Sequence, residues 1–291
     1  MLILAFPDYL EQAQRLANQL NVPIAQTFLH RFPDGESLVR LPPALPRHIV
    51  IFRSLDHPND KLIELLLCAK TARKLGVQRI TLVVPYLCYM RQDIANNPGE
   101  AVSQRIIGQL LADLFDDVIT VDPHLHRISR LDQAIPLQNA ISLSASGIIG
   151  SYLKSQLDHA VLLGPDSESE QWVANIAAEI GFEYGIAKKI RHGDRDVKIT
   201  LPNRNFSGHP VVIIDDMAST GRTLTQTIHL LRKAGATEIY AAITHPLFCD
   251  DAETAIRSAG VKDIWCTDSI RHSTSCIKLD ALLATAVKSI L

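Results

Sequence analysis

Short apolar runs separated by longer amphipathic stretches are the feature that most constrains the fold of this chain. Two of these runs, residues 81–84 (TLVV) and 211–214 (VVII), consist mostly of β-branched residues and show no polar alternation. Such runs are typical of strands covered on both faces, and the helical stretches between them predict crossover connections. The sequence therefore predicts an α/β fold built from mainly parallel sheets flanked by helices.

The order of these segments predicts two successive series of strands and helices. In the first series we expect strands at 2–6, 48–52, 79–84 and 117–121, and helices at 9–20, 59–76 and 100–115. In the second we expect strands at 160–163, 183–188, 197–201, 211–214, 238–244 and 262–266, and helices at 169–180, 220–234, 250–259 and 279–290. Because the two series are alike at coarse grain, the same α/β unit is predicted to occur twice.

A run of small residues marks the predicted boundary between the two series. Residues 143–147 (LSASG) lie there, so we place an N-terminal domain at 1–145 and a C-terminal domain at 146–291. The total of 291 residues fits two domains of roughly 150 residues each.

Composition argues against several classes of protein. The 29 basic and 31 acidic residues give a net charge of −2, whereas nucleic-acid binding needs a cationic surface. There is no apolar run of about 18 residues, so no membrane span is expected. The apolar start of the chain stops at Pro7, too early for a signal peptide. Five scattered cysteines without a CxxC pair favour a reduced, cytoplasmic compartment.

The segment 211–223 (VVIIDDMASTGRT) combines a buried strand, two adjacent carboxylates and a turn into a helix. Ligands of open α/β sheets bind at the carboxyl ends of strands, where Asp215 and Asp216 lie. Free N–H groups and the helix dipole beyond the turn favour a phosphate. Paired carboxylates would hold sugar hydroxyls, directly or through Mg²⁺. The residues expected to bind ribose 5-phosphate are Asp215, Asp216, Ser219, Thr220, Gly221, Arg222 and Thr223.

This segment resembles the ribose-phosphate-binding fingerprint of the type I phosphoribosyltransferase fold. The whole chain is similar to ribose-phosphate pyrophosphokinases, also called phosphoribosyl pyrophosphate (PRPP) synthases. The matching pieces come in order at 31–36 (RFPDGE), 59–66 (NDKLIELL), 84–86 (VPY), 89–93 (YMRQD), 120–124 (TVDPH), 164–166 (GPD), 189–191 (KIR), 215–223 and 244–245 (TH).

The resemblance implies two similar phosphoribosyltransferase-like domains and an enzymatic activity. Enzymes of this family transfer the diphosphoryl group of ATP to the C1 hydroxyl of ribose 5-phosphate with Mg²⁺ as cofactor, giving PRPP and AMP. ATP is expected on the first domain. Phe32 would stack on adenine, Asp34 and Glu36 would accept from its amino group or reach its ribose, and Arg91 and Gln92 would bind the nucleotide. In family members the Phe32 loop serves a neighbouring subunit, which implies a dimer-based homo-oligomer.

The resemblance also assigns a metal site and catalytic groups. His124 and Asp166 would hold Mg²⁺ on the ATP phosphates, or His124 would hydrogen-bond a phosphate oxygen without touching the metal. Lys189 and Arg191 would stabilise charge on the transferred diphosphate, with Lys188 as the competitor for the role of Lys189.

The chain departs from the family pattern at a few positions. Residues 167–170 (SESE) add carboxylates where small residues are usual. Ser219 stands where many synthases have Asp, and Arg222 where they have Gly. These departures leave the diphosphate donor and the effectors open.

Two other functions fit parts of the sequence. A phosphoribosyltransferase that consumes PRPP would need only one domain, and it leaves Phe32, Arg91 and His124 unexplained. A non-catalytic regulatory subunit associated with the synthase, or a PRPP sensor, could keep the paired aspartates and lose the cations. The presence of Lys189 and Arg191 favours an enzyme.

Overall fold

A computed structural model describes residues 1–125, 127–191 and 197–291. His126 and residues 192–196 lie outside the described residues, and so do the side chains of 190–191 and 197–198. The catalytic role predicted for the Arg191 side chain therefore falls outside what the structure describes. The described chain divides into two units, one formed by 1–143 with 279–291 and the other by 144–278.

The first unit is built on a six-stranded parallel sheet in the order β2-β1-β5-β6-β7-β8. Its strands are β1 (Leu2–Ala5), β2 (Ile24–Gln26), β3 (Phe28–Arg31), β4 (Ser37–Arg40), β5 (His48–Phe52), β6 (Arg79–Val83), β7 (Asp117–Val121) and β8 (Asn139–Leu143). Its helices are α1 (Leu10–Leu20), α2 (Pro58–Lys74), α3 (Ser103–Leu114) and α8 (Asp280–Ser289). Strands β3 and β4 stand apart as an antiparallel hairpin that contacts α2.

The second unit repeats this plan with the order β10-β9-β13-β14-β15-β16, again parallel throughout. Its strands are β9 (Val161–Gly164), β10 (Glu183–Ile186), β11 (Lys188–Arg191), β12 (Val197–Thr200), β13 (Pro210–Ala218), β14 (Glu238–Pro246), β15 (Asp263–Thr267) and β16 (Ser275–Ile277). Its helices are α4 (Ser146–Gln156), α5 (Glu170–Ile180), α6 (Arg222–Lys233) and α7 (Ala252–Ser258). Strands β11 and β12 form a separate antiparallel hairpin. The predicted α/β class with two mainly parallel sheets is confirmed.

Burial explains why the central strands form. Every residue of β7 is buried, and so are the apolar runs 49–52 of β5 and 211–214 of β13. Side chains without polar alternation need cover on both faces of a sheet, and helices on both sides supply it.

The strand order places one crevice in each sheet. In the first unit, β2 lies on one side of β1 and β5 on the other, so the winding reverses between β1 and β5. In the second unit, β10 lies on one side of β9 and β13 on the other, so the winding reverses between β9 and β13. Open α/β sheets bind ligands outside the carboxyl ends of the strands at that point. In the second unit, these ends lead directly into Asp166 and the paired aspartates.

The last helix belongs to a different unit from the one that the sequence predicts. We predicted 146–291 as one domain, whereas 279–291 groups with the first unit. Helix α8 packs on α1, where Asp280 accepts from Gln19 Nε2 at 3.0 Å and lies 3.6 Å from Arg15 Nε. The chain thus returns to the first unit and packs against α1.

A search of the described residues finds no helix with both the length and the apolar character that a membrane crossing requires.

A buried ion pair lies beyond the end of β5 in the first unit. Arg53 and Glu64 are only 3% and 2% exposed, and their Nη2 and Oε2 atoms lie 2.6 Å apart. Arg53 also contacts Asp8 at 3.2 Å and stacks on the Phe6 ring, 4.0 Å from its centroid. Removing one member of such a pair leaves the other charge buried and uncompensated.

We therefore expect Glu64→Gln to lower the free energy of unfolding by about 3 kcal/mol, measured by urea denaturation followed by circular dichroism. Asp60→Asn is the matched control on the same helix, because Asp60 pairs with Arg31 at the exposed surface. Equal stabilities of the two variants would contradict the assigned role of Glu64.

Candidate active site

The paired aspartates lie within β13, not beyond its end. We predicted that the strand stops at 214, but its ladder with β14 continues to the pair Ala218–Pro246. Asp215 is half-buried and Asp216 is buried. The extension arises because β14, a strand distant in sequence, supplies backbone partners that no local pattern reveals.

A three-residue turn connects β13 to α6, and glycine is required at its last position. Gly221 has φ +67°, and a Cβ there would lie 3.0 Å from Ile256 Cδ1 and 3.2 Å from the carbonyl oxygen of Ala252. Its own carbonyl accepts the first helical hydrogen bond from Thr225 N at 2.8 Å. A side chain at this position would combine a strained backbone with tight contacts to Ile256 and Ala252. The predicted helix start at 220 thus moves to Arg222.

The start of α6 has the chemistry of an anion site. Within the described part of the chain, no side chain caps this helix, and its first turn holds no acidic residue. Thr220 and Arg222 are exposed, while Ser219 and Thr223 are half-buried. Unpaired N–H groups at a helix start, hydroxyls and a guanidinium all favour a negatively charged group.

Asp166 follows β9 and faces the paired aspartates. Its Oδ1 accepts from Glu168 N at 3.1 Å, and its carbonyl accepts from Ser169 Oγ at 2.6 Å. These bonds shape residues 167–169, where the sequence departs from the family, into a single 3₁₀ turn. Oδ2 of Asp166 lies 3.3 Å from Lys189 Nζ. Lys189 is half-buried, whereas Lys188 is exposed.

Crowding of carboxylates dominates the electrostatics of this site. The pKa of Asp215 is raised well above its ordinary value, first by burial and then by the charges of Asp216 and Asp166, while Lys189 acts in the opposite direction. A cation bound among these carboxylates would stabilise their charged forms. The donors are oxygens, which Mg²⁺ prefers.

No group of three or more His, Cys, Asp or Glu side chains is arranged to hold a metal ion within 1–125, 127–191 and 197–291. A Mg²⁺ ion usually keeps several waters and takes one or two carboxylates together with substrate phosphates. Asp166 fits that mode in the second unit. His124 lies in the first unit, half-buried beyond β7. Their predicted metal role stays a prediction.

The predicted adenine loop is the tight turn of the β3–β4 hairpin. Phe32 N donates to the Glu36 carbonyl at 2.8 Å, and Glu36 N donates to Asp34 Oδ1 at 3.1 Å. The ring of Phe32 is 39% exposed and meets His30 edge-on at 4.8 Å. The turn therefore presents an aromatic face and two exposed carboxylates together.

Arg91 and Gln92 lie in the loop between β6 and α3. The Gln92 carbonyl accepts from Gln104 N at 3.2 Å, and Gln104 Nε2 donates to the Met90 carbonyl at 3.0 Å. Asp93 contacts Arg127 at 2.5 Å. These contacts tie the loop to α3 and leave Arg91 exposed at the surface.

One segment beside the turn escaped the sequence analysis. Phe248 N donates to the Ala218 carbonyl and Cys249 N to the Ser219 carbonyl, each at 2.9 Å. No motif marks these residues. The only signal was their position immediately after a predicted strand.

Comparisons with known proteins agree with this arrangement. Residues 1–114 match the family model described as the N-terminal domain of ribose phosphate pyrophosphokinase, and 137–273 match the phosphoribosyl transferase domain. Among solved structures, phosphoribosylpyrophosphate synthetase from Mycobacterium smegmatis superposes with a TM-score of 0.83 at 22% identity, covering 99% of this chain and 98% of that one. This likeness supports the fold.

Curated relatives match over most or all of the chain. The ribose-phosphate pyrophosphokinase of Methanopyrus kandleri is 33% identical over 294 residues, covering 100% of this chain and 99% of the relative. That of Saccharolobus solfataricus is 34% identical over 265 residues, covering 88% and 89%. The resemblance carried by the ordered motifs is thereby confirmed, and the chain belongs to the ribose-phosphate pyrophosphokinase family.

Proposed function

We propose that the protein transfers the diphosphoryl group of ATP to the C1 hydroxyl of ribose 5-phosphate in the presence of Mg²⁺, giving PRPP and AMP. The observation that carries this proposal is the segment 215–223, where two carboxylates at the end of β13 lead through a glycine turn into an uncapped helix start. Membership of the ribose-phosphate pyrophosphokinase family supports it.

The sugar phosphate would bind along this segment. Its phosphate accepts from the first N–H groups of α6 and from nearby side chains. Its hydroxyls donate to Asp215 and Asp216. The side chains proposed for the phosphate are Ser219, Thr220, Arg222 and Thr223, with Gly221 allowing close approach of the backbone.

The reaction exchanges one phosphorus–oxygen bond for another. The C1 oxygen attacks the β-phosphorus of ATP and loses its proton, and the bond from that phosphorus to the oxygen shared with the α-phosphorus breaks. AMP departs with that oxygen. Such transfers depend on positioning and on neutralising negative charge, because little covalent chemistry is asked of the protein.

Lys189 is the cation best suited to this neutralisation in the second unit. It is half-buried, it pairs with Asp166 at 3.3 Å, and its charge acts on Asp215. A lysine held in place by such an ion pair can interact with charge that develops on a phosphate. Arg191, two residues along β11, is proposed to assist it.

Asp166 is proposed to hold Mg²⁺, and the family resemblance assigns His124 the same role or a hydrogen bond to an ATP phosphate. When bound, the ion would neutralise charge on the phosphates of ATP. The crowded carboxylates around Asp215 support a cation at this place.

ATP is proposed to bind residues of the first unit. The exposed ring of Phe32 offers a stacking surface for adenine, beside the carboxylates of Asp34 and Glu36. Exposed Arg91 suits a phosphate, since its planar guanidinium can donate two parallel hydrogen bonds, and Gln92 lies next to it.

A homo-oligomer built from dimers is also proposed. Exposed apolar side chains occur on the β3–β4 hairpin, at Phe28 and Leu38, and on α2 behind it, at Ile63 and Leu67. Apolar patches of this kind mark contact surfaces. A second copy seated there would bring the Phe32 loop to a neighbouring molecule, as the family resemblance implies.

The activity itself is tested by following AMP release from ATP by chromatography. We expect AMP only when ribose 5-phosphate and Mg²⁺ are both present. Purified protein that yields no AMP under these conditions would be a regulatory subunit or a transferase that consumes PRPP.

Lys189→Ala should lower kcat at least a hundredfold, equivalent to about 3 kcal/mol of barrier, with a smaller change in ribose 5-phosphate affinity. Lys188→Ala is the matched control, since the neighbouring side chain is exposed, and it should stay within about twofold of the wild type. Near-normal turnover of Lys189→Ala would remove Lys189 from its role.

Asp215→Asn should stabilise the protein while weakening sugar binding. The folded-state pKa of Asp215 lies above its ordinary value of 3.8, so stability is lost as the pH rises from that value through the raised pKa. The asparagine side chain of the variant does not ionise, so the variant does not lose stability in this way. In buffer that contains a metal chelator, the free energy of unfolding of the variant at pH 7 should exceed that of the wild type by on the order of 1 kcal/mol. This difference should shrink towards pH 4. A pH-independent difference in urea denaturation would contradict this origin.

A further inference from the structure

The chain beyond β14 continues beside the turn that follows β13. Residues 247–250, which we call the clasp, donate two backbone hydrogen bonds, one to the last residue of β13 and one to the first residue of the turn. Phe248 N reaches the Ala218 carbonyl and Cys249 N reaches the Ser219 carbonyl, each at 2.9 Å. The clasp therefore holds the backbone of Ser219, the first residue of the turn, from a segment about 30 residues further along the chain.

The clasp holds two residues in a backbone conformation that they rarely adopt. Phe248 has φ +36° and Asp250 has φ +56°, and neither is a glycine. Conformations of this kind persist only where surrounding contacts enforce them. Here the Phe248 ring packs against His272 with 4.9 Å between ring centroids, and the backbone N–H groups of Phe248 and Cys249 are both hydrogen-bonded.

The side chain of Cys249 contacts Ser219 as well. Its Sγ lies 3.5 Å from Ser219 Oγ, and either atom can be the donor. A hydroxyl that donates to a phosphate keeps its oxygen lone pairs free. When Ser219 donates to the phosphate, its oxygen can accept from the Cys249 thiol, and that contact keeps the hydroxyl hydrogen pointing towards the anion.

This environment differs from that of the other buried thiols. Cys68, Cys88 and Cys266 are fully enclosed, and burial raises the pKa of each to about 12. They act as small apolar side chains. Cys249 is half-buried and touches a residue of the proposed sugar-phosphate turn.

We propose that Cys249 is a positioning residue for ribose 5-phosphate, acting through Ser219. The inference rests on the proposed binding of the sugar phosphate at 215–223. Cys249 would not touch the substrate. It orients the Ser219 hydroxyl, so its loss weakens sugar-phosphate binding without removing a catalytic group.

The test is a double-mutant cycle between Cys249 and Ser219, with ribose 5-phosphate titrated into the full chain by calorimetry. Cys249→Ala should bind about three- to tenfold more weakly, as expected for one hydrogen bond. Cys249→Ser, which restores a donor, should bind within about twofold of the wild type. Because Cys249 acts through Ser219, adding Cys249→Ala to Ser219→Ala should cost nothing further.

Steady-state kinetics separate positioning from a general structural role. Cys249→Ala should raise the KM for ribose 5-phosphate while kcat stays close to the wild-type value. Cys276→Ala, at an exposed thiol of the same unit, is the control and should change neither. Thermal unfolding of all variants establishes that they fold, and Cys249→Ser keeps the comparison available if the alanine variant does not.

Two results overturn the inference while leaving the proposed function intact. These are wild-type affinity in Cys249→Ala, and additive losses in the double variant. Wild-type protein that binds no ribose 5-phosphate at all would overturn the proposed function and, with it, the positioning role of Cys249.

Discussion

The backbone ladder between β13 and β14 is the constraint on which the candidate site depends. It runs from the pair Pro210–Glu238 to the pair Ala218–Pro246, so it carries Asp215 and Asp216 inside a parallel sheet at its carboxyl edge. Neither residue can move away from the other without breaking ladder hydrogen bonds. Burial, and after it the charges of Asp216 and Asp166, raise the pKa of Asp215. The carboxylates of Asp215, Asp216 and Asp166 are thus held close together.

The first unit has the same strand order, but different side chains lie at the ends of its strands. There, the corresponding crevice is lined by Arg53 and Lys61, which pair with Asp8, Asp56 and Glu64. Two cations there contact three carboxylates, so most of the charge is paired within the protein. In the second unit, three carboxylates face one described cation, Lys189, and the site is left with an imbalance that a ligand can correct. A repeated fold therefore does not repeat the function, because function depends on the residues at the strand ends.

The sequence predicts the long buried elements well and the short exposed ones poorly. Strands β5 and β7 occupy the predicted residues 48–52 and 117–121, because unbroken apolar runs leave no other placement. Strands β2 and β4 were not predicted, since each has only three or four residues and none of them is buried. The positions of the paired aspartates were found, but not that they lie inside the strand. That fact depends on a partner strand more than twenty residues away.

The contact between Cys249 and Ser219 shows why the rest could not be predicted. It joins residues 30 apart through a backbone conformation that is unusual for Phe248 and Asp250, and no residue pattern encodes either feature. It also bears on the departures from the family pattern at Ser219 and Arg222. Glycine at 221, the helix start and the clasp are main-chain features, so a phosphate held mainly by N–H groups tolerates changes in the neighbouring side chains.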